Sequence, residues 1–267
     1  MRRGSGRCIR TYPRTMLNPK GTRALITGAS RGIGLAYAEA LVHAGYKVVL
    51  NHLRDAARAG QECKRLGTGR CYTIEADVGD SRQARSLVTR AADLLGGLDI
   101  VVNNAGIAEL MPILAVTDET WQRHVNVNLS AGFSVTQEAA KQMIDAGNGG
   151  RIIFTTSVGA FRSNTTQTHY CATKGGLSLL AQGFALELAK YKITVNCIAP
   201  GWIHTDLNDA ASRDTDFIRD WLRFNCPSGR LGKPSDLQAA LLFFASQEAE
   251  YVTGATVTVD GGWNAQL

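Results

Sequence analysis

The chain has 267 residues, 45% of them hydrophobic, with 29 Lys plus Arg against 23 Asp plus Glu and a formal net charge of +6. That composition excludes a disordered or fibrous protein, and no apolar stretch reaches the ~18–20 residues that a membrane helix requires. Arg2, Arg3, Arg7, Arg10 and Arg14 supply most of the excess charge, so the body is nearly neutral and lacks the basic face of a nucleic-acid-binding domain.

Residues 1–19 contain no acid and are broken by Gly4, Gly6 and Pro13, which reads as a disordered Arg-rich leader before one domain at 20–267. Short apolar runs then alternate with helical periodicity. The spacing predicts a strand at 23–27 (RALIT), a helix at 32–44, a strand at 47–50 (KVVL) and a helix at 56–66. A third strand is expected at 71–74 and a helix at 81–95, ended by Gly96-Gly97. A fourth strand at 99–102 (DIVV) leads to one long helix at 117–146. Strands at 151–155 (RIIFT), 193–198 (ITVNCI) and 256–259 (TVTV) complete the set, with a helix at 169–190 between the fifth and sixth. Strict alternation predicts an α/β protein: one doubly wound, seven-stranded parallel sheet of Rossmann type, with helices on both faces. The least regular stretch, 202–234, lies where a substrate lid would sit in such a sheet.

Cys8, Cys63, Cys71, Cys171, Cys197 and Cys226 form no C-x-x-C pair and no metal spacing with the histidines. They read as buried thiols of a reducing compartment, and the absence of an apolar signal segment makes the expected location cytoplasmic. No metal is expected, and His124, His169 and His204 read as surface or supporting residues.

Three motifs carry chemistry. Gly28-Ala29-Ser30-Arg31-Gly32-Ile33-Gly34 follows the first strand, where glycines let the backbone approach a pyrophosphate seated on a helix N-terminus. Asn103-Asn104-Ala105-Gly106 follows the fourth strand, beside the topological switch point. Tyr170 and Lys174 lie four apart on one helical face, where an ammonium favours the phenolate and pulls the phenol pKa down.

With these motifs in this order, the chain resembles the short-chain dehydrogenase/reductase family from about residue 20 onward. The resemblance extends to Asn128 in Val125-Asn126-Val127-Asn128, to Ser157, to Pro200-Gly201 and to Val259-Asp260-Gly261-Gly262. It implies an NAD(P)-dependent oxidoreductase similar to 3-oxoacyl carrier-protein reductases and sugar or polyol dehydrogenases. Tyr170 would be the general acid or base, Lys174 its cationic partner and a ribose ligand. Ser157 would hold the substrate oxygen, and Asn128 would anchor a proton-returning water chain. Gly28, Ser30, Arg31, Gly32, Ile33, Gly34, Asn51, Arg54, Asp77, Val78, Asn104, Ala105, Gly106, Pro200, Gly201, Ile203 and Thr205, with Tyr170 and Lys174, would line the coenzyme. The second strand ends without a carboxylate to hold a ribose 2′-hydroxyl, whereas Arg31 and Arg54 suit a 2′-phosphate. NADP is therefore favoured over NAD. The substrate is expected to be a small carbonyl or alcohol, with Phe161, Arg162, Trp202, His204 and Trp221 among its lining. A catalytically silent redox sensor is the competing reading, against which the intact Asn128, Ser157, Tyr170 and Lys174 speak.

The resemblance also implies a homotetramer, with helices 117–146 and 169–190 packing on symmetry mates and a second interface near 256–263. In the latter helix, Leu177, Leu180, Ala181, Phe184, Leu188 and Tyr191 cover more of the circumference than one buried stripe needs.

Overall fold

A computed structural model describes residues 23–206 and 215–266. The expected leader lies outside the described residues, as does part of the proposed lid. Seven parallel strands form one sheet in the order β3-β2-β1-β4-β5-β6-β7. They are β1 (Arg23–Ile26), β2 (Lys47–His52), β3 (Cys71–Glu75), β4 (Ile100–Asn103), β5 (Gly150–Thr155), β6 (Ile193–Pro200) and β7 (Thr256–Val259). The order reverses between β1 and β4, which opens a crevice at their carboxyl ends where such sheets bind ligands.

The central strands read as unbroken apolar runs because helices cover both faces. Every residue of β6 is buried, whereas β7, at the edge, is half-exposed. One face packs under α3 (Ser81–Leu95), α5 (Ala131–Ala146) and α6 (Thr168–Leu188), around Leu87, Val135, Phe154 and Leu177. The other packs under α1 (Gly32–His43), α2 (Ala56–Leu66) and α8 (Gln238–Ala245), around Tyr37, Leu41, Leu50 and Phe244. Asp80 caps α3 by accepting from the backbone N–H groups of Arg82 and Gln83, and Gly96 ends it in the left-handed conformation that a side chain would resist. Among the described residues no helix is long and apolar enough to cross a membrane.

The long helix expected at 117–146 is not continuous. α4 (Asp118–Val125) and α5 are separated by a π-helical turn at Asn126–Ser130. The extra residue turns Asn128 inward, where its side chain bonds the backbone of Ile107 instead of following the helix surface. The helix expected at 169–190 is α6, followed by a 3-10 turn at Ala189–Tyr191. Within the region read as a lid, α7 (Thr215–Asn225) is a helix.

Candidate active site

The loop after β1 is folded by its glycines. Gly28 and Gly32 have φ of +62° and +58°, and a Cβ on Gly28 would stand 2.8 Å from the Cα of Ala105. At Gly34 a Cβ would collide with the Gly28 carbonyl. These contacts press the loop against the Asn-Ala-Gly turn at the N-terminus of α1, which has no side-chain cap and forms a cradle suited to a pyrophosphate. Asn104 binds the turn to the loop through Nδ2, which donates to the carbonyls of Thr27 and Gly28, both at 3.0 Å. Thr27 Oγ1 accepts from the backbone N–H groups of Asn104 and Ala105.

The residues expected to meet the adenosine are placed differently from one another. Asn51 is 2% exposed; its Oδ1 accepts from the Gly28 N–H, and its Nδ2 donates to the carbonyl of Ala76 at 3.0 Å. Its amide is therefore spent on holding the loop to β2 and β3. Arg31 and Arg54 are both exposed, and the backbone N–H of Arg54 donates to Glu75 Oε1. Val78 is buried beside half-buried Asp77, whose Oδ1 accepts from the Gly79 N–H. Thr205 packs over Gly32, Ile203 is buried, and Gly201 lies against Asp260, so the end of β6 forms the opposite wall.

Asn128, Ser157, Tyr170 and Lys174 come together at the crevice. A Cβ on Gly106 would stand 3.3 Å from Asn128 Oδ1 and 3.6 Å from Lys174 Nζ. A Cβ on Gly159 would stand 3.3 Å from Ser157 Oγ and 3.6 Å from Tyr170 Cε1. Lys174 is buried, donates to the Thr155 carbonyl at 2.9 Å, and sits 5.7 Å from the centre of the Tyr170 ring. Burial lowers the Lys174 ammonium from 10.5 to about 8. The Tyr170 phenol moves the other way from the expectation: burial raises it above the ordinary tyrosine value, and the hydrogen bond with Ser157 only partly opposes this. Desolvation prevails because the phenolate would lose more hydration than the Ser157 hydrogen bond returns.

Two features had no clear sequence signal. The π-turn that aims Asn128 follows no local motif, though Asn126-Val127-Asn128 marks its place. His124 and His169, expected at the surface or in support, are fully buried and stack edge to face at 4.4 Å. Burial and then His124 hold the His169 imidazole below its usual value. Beyond the end of β6, Trp202, Trp221 and Trp263 form a chain of edge-to-face contacts with centroids 4.7 Å apart. Arg162 lies over Trp263 at 5.1 Å and donates to its carbonyl. His204 is exposed at the margin. Among the described residues no group of three His, Cys, Asp or Glu side chains is placed to hold a metal.

A family model described as enoyl-(acyl carrier protein) reductase matches residues 28–264. The L-rhamnose 1-dehydrogenase (NAD(P)(+)) of Azotobacter vinelandii is 39% identical over 244 residues, covering 89% of this chain and 94% of that protein. The chain belongs to the short-chain dehydrogenase/reductase family. A 3-oxoacyl-[acyl-carrier-protein] reductase of Staphylococcus aureus is 36% identical, covering 90% of this chain and 96% of its own. Among solved structures, a gluconate 5-dehydrogenase from Burkholderia cenocepacia, in complex with NADP and tartrate, superposes with a TM-score of 0.89. It is 36% identical and covers 96% of this chain and 100% of its own.

Proposed function

We propose that this short-chain dehydrogenase/reductase, an NAD(P)-dependent oxidoreductase, prefers NADP and acts on a polyhydroxylated substrate such as a sugar or sugar acid. The observation that carries the substrate class is the Trp202–Trp221–Trp263 chain with Arg162 over its end. Aromatic faces cover the C–H surfaces of a pyranose, and a guanidinium binds hydroxyls or a carboxylate in bidentate fashion. The names of the rhamnose- and gluconate-oxidising relatives point the same way.

In oxidation, Ser157 holds the substrate hydroxyl and Tyr170, as phenolate, removes its proton while the adjacent C–H bond breaks. A bound nicotinamide would supply the acceptor for that hydrogen and its electron pair. In reduction Tyr170 returns the proton to the oxyanion that Ser157 stabilises. Lys174 supplies the fixed positive charge beside both the phenol and the ribose, and Asn128 connects it toward the Ile107 backbone for proton return. The glycine loop, Asn104 to Gly106, Val78 and the end of β6 form the coenzyme walls, with Asn51 acting through the loop it holds. Assaying the full chain with NADP⁺ and L-rhamnose, D-gluconate or other aldoses tests the substrate class. Turnover of a 3-oxoacyl thioester with NADPH and none of any sugar would replace it with the acyl reading.

The coenzyme choice rests on Arg31 and Arg54. Charge-assisted hydrogen bonds contribute about 1.5–3 kcal/mol each. Replacing both arginines with Ala is expected to weaken NADPH more than about tenfold and to leave NADH nearly unchanged, as read by titration of coenzyme fluorescence. Equal losses would show that neither reads the 2′-phosphate.

We infer a homotetramer acting in the cytoplasm. Of the apolar residues read from the sequence of α6 and its end, Leu177, Leu180, Ala181, Phe184 and Leu188 pack into the chain's own core and only Tyr191 is exposed. It is instead Leu179 and Leu186 that are 69% and 83% exposed in the single chain, with Phe133 of α5 and Trp121 of α4 exposed as well. Val257 of β7 and Phe243 of α8 are exposed too. Apolar area on this scale is covered in symmetric assemblies. Light scattering at micromolar concentration should give four times the 28.7 kDa monomer. A monomer would remove both interfaces.

A further inference from the structure

We propose a small-oxyanion site at the amino ends of β1, β4 and β5, on the edge of the sheet opposite the coenzyme crevice. A cleft of ≈ 270 Å³ opens there, lined by residues that include Arg23, Tyr46, Asp99, Asn148 and Arg151. Its volume is just below the usual range of small-molecule pockets, about 300–1,000 Å³, so it suits an ion or a compact acid.

The two arginines differ in how they are satisfied. Arg23 is forked onto Asp99, with Nε and Nη2 donating to the two carboxylate oxygens at 2.9 and 2.8 Å, and it also donates to the Gly96 carbonyl. That pair is neutral and its donors are largely spent. Arg151 instead donates to two carbonyls, those of Ser246 at 3.2 Å and Gly150 at 3.1 Å. A guanidinium has five N–H groups, so these two bonds leave most of its donors to spare in a side chain that lines the cleft. The carboxylates in this region are otherwise engaged: Asp99 is held by Arg23, while Glu250 and Glu248 are exposed and screened by water. Burial accordingly holds the Arg151 guanidinium below its ordinary value, with Glu250 opposing. A half-buried cation bonded only to carbonyls gains most from a ligand that brings the missing negative charge. Tyr46 lies buried at the base of the cleft and exposed Asn148 at its mouth; both are able to donate to a second oxygen.

Phosphate and carboxylate share this chemistry, and the test separates them. Full-length protein is first saturated with NADPH, so that its own phosphate-binding crevice is filled. Sodium phosphate, sodium malonate or sodium chloride is then added at matched ionic strength while the unfolding temperature is followed. The site predicts a saturable rise with phosphate or malonate that chloride does not reproduce; whichever anion acts at the lower concentration identifies the source. Arg151→Gln should weaken that response at least about tenfold with NADPH affinity unchanged. Should that variant fail to fold, Asn148→Asp, an exposed change that sets a negative charge at the mouth, must weaken it too. No saturable rise in the wild type, or an equal rise in the variants that fold, would overturn the site.

Discussion

Tyr170→Phe is expected to lower kcat by about 10²–10⁴-fold, the usual contribution of a positioned acid or base, while leaving NADPH affinity within about twofold. The substitution removes one oxygen and its proton. The ring keeps its place on α6, and Lys174 keeps its bond to the Thr155 carbonyl. Because the Tyr170 phenol is raised rather than lowered in the ligand-free protein, oxidation should speed up as pH rises and reduction should not. The oxidative direction needs the phenolate, whose fraction grows with pH, whereas the reductive direction needs the neutral phenol. Steady-state kcat measured in both directions checks this. A variant retaining more than about a tenth of wild-type turnover would remove Tyr170 from its role.

Lys174→Met should cost activity and coenzyme affinity together, and yet relieve the folded protein of a burden. Burial lowers the Lys174 pKa from 10.5 to about 8, so between those values the unfolded chain holds more protons than the folded one. Stability therefore rises with pH through that window, and the whole penalty is present below about pH 8. A thioether of similar length carries no such charge. The variant should unfold at a temperature no lower than wild type at pH 7, and its advantage should shrink as pH rises toward about 10. Thermal unfolding at several pH values, alongside kcat and NADPH affinity, reads all three consequences. Normal NADPH affinity would contradict the ribose contact, and a constant stability gap would contradict the buried charge.

The order of strands and helices was legible because burial on both faces writes itself as short apolar runs, such as Val48-Val49-Leu50 and Ile152-Ile153-Phe154. The ends of these runs were less clear: β2 continues through Asn51 and His52, polar residues whose backbones still pair with β3 and which are nonetheless buried, Asn51 with its amide bonded to Gly28 and Ala76. The glycine loop and the Tyr170–Lys174 pair were each weak as isolated spacings, a tight turn and one helical face, and became readable only together with the Asn-Ala-Gly turn in that order along the chain. The π-turn was not, as Asn126 to Ser130 fit an ordinary helix pattern and only the tertiary bonds of Asn128 to Ile107 favour the insertion. The direction of the Tyr170 shift was also hidden. A sequence places a cation near a phenol, but how much water both lose depends on packing across elements far apart in the chain. The buried histidines make the same point, since His124 meets His169 only because α4 and α6 pack together.

The most direct test of coenzyme-dependent oxidation with Tyr170 as its proton acceptor is the absorbance of NADPH formed by the full chain from NADP⁺ with the sugar and sugar-acid panel, run beside Tyr170→Phe at equal coenzyme occupancy. The structure predicts sustained formation with at least one polyhydroxylated substrate, and its loss in the variant. Tight coenzyme binding without turnover of any sugar, alcohol or 3-oxoacyl thioester, in either direction and with either coenzyme, would contradict it and leave a silent dinucleotide binder.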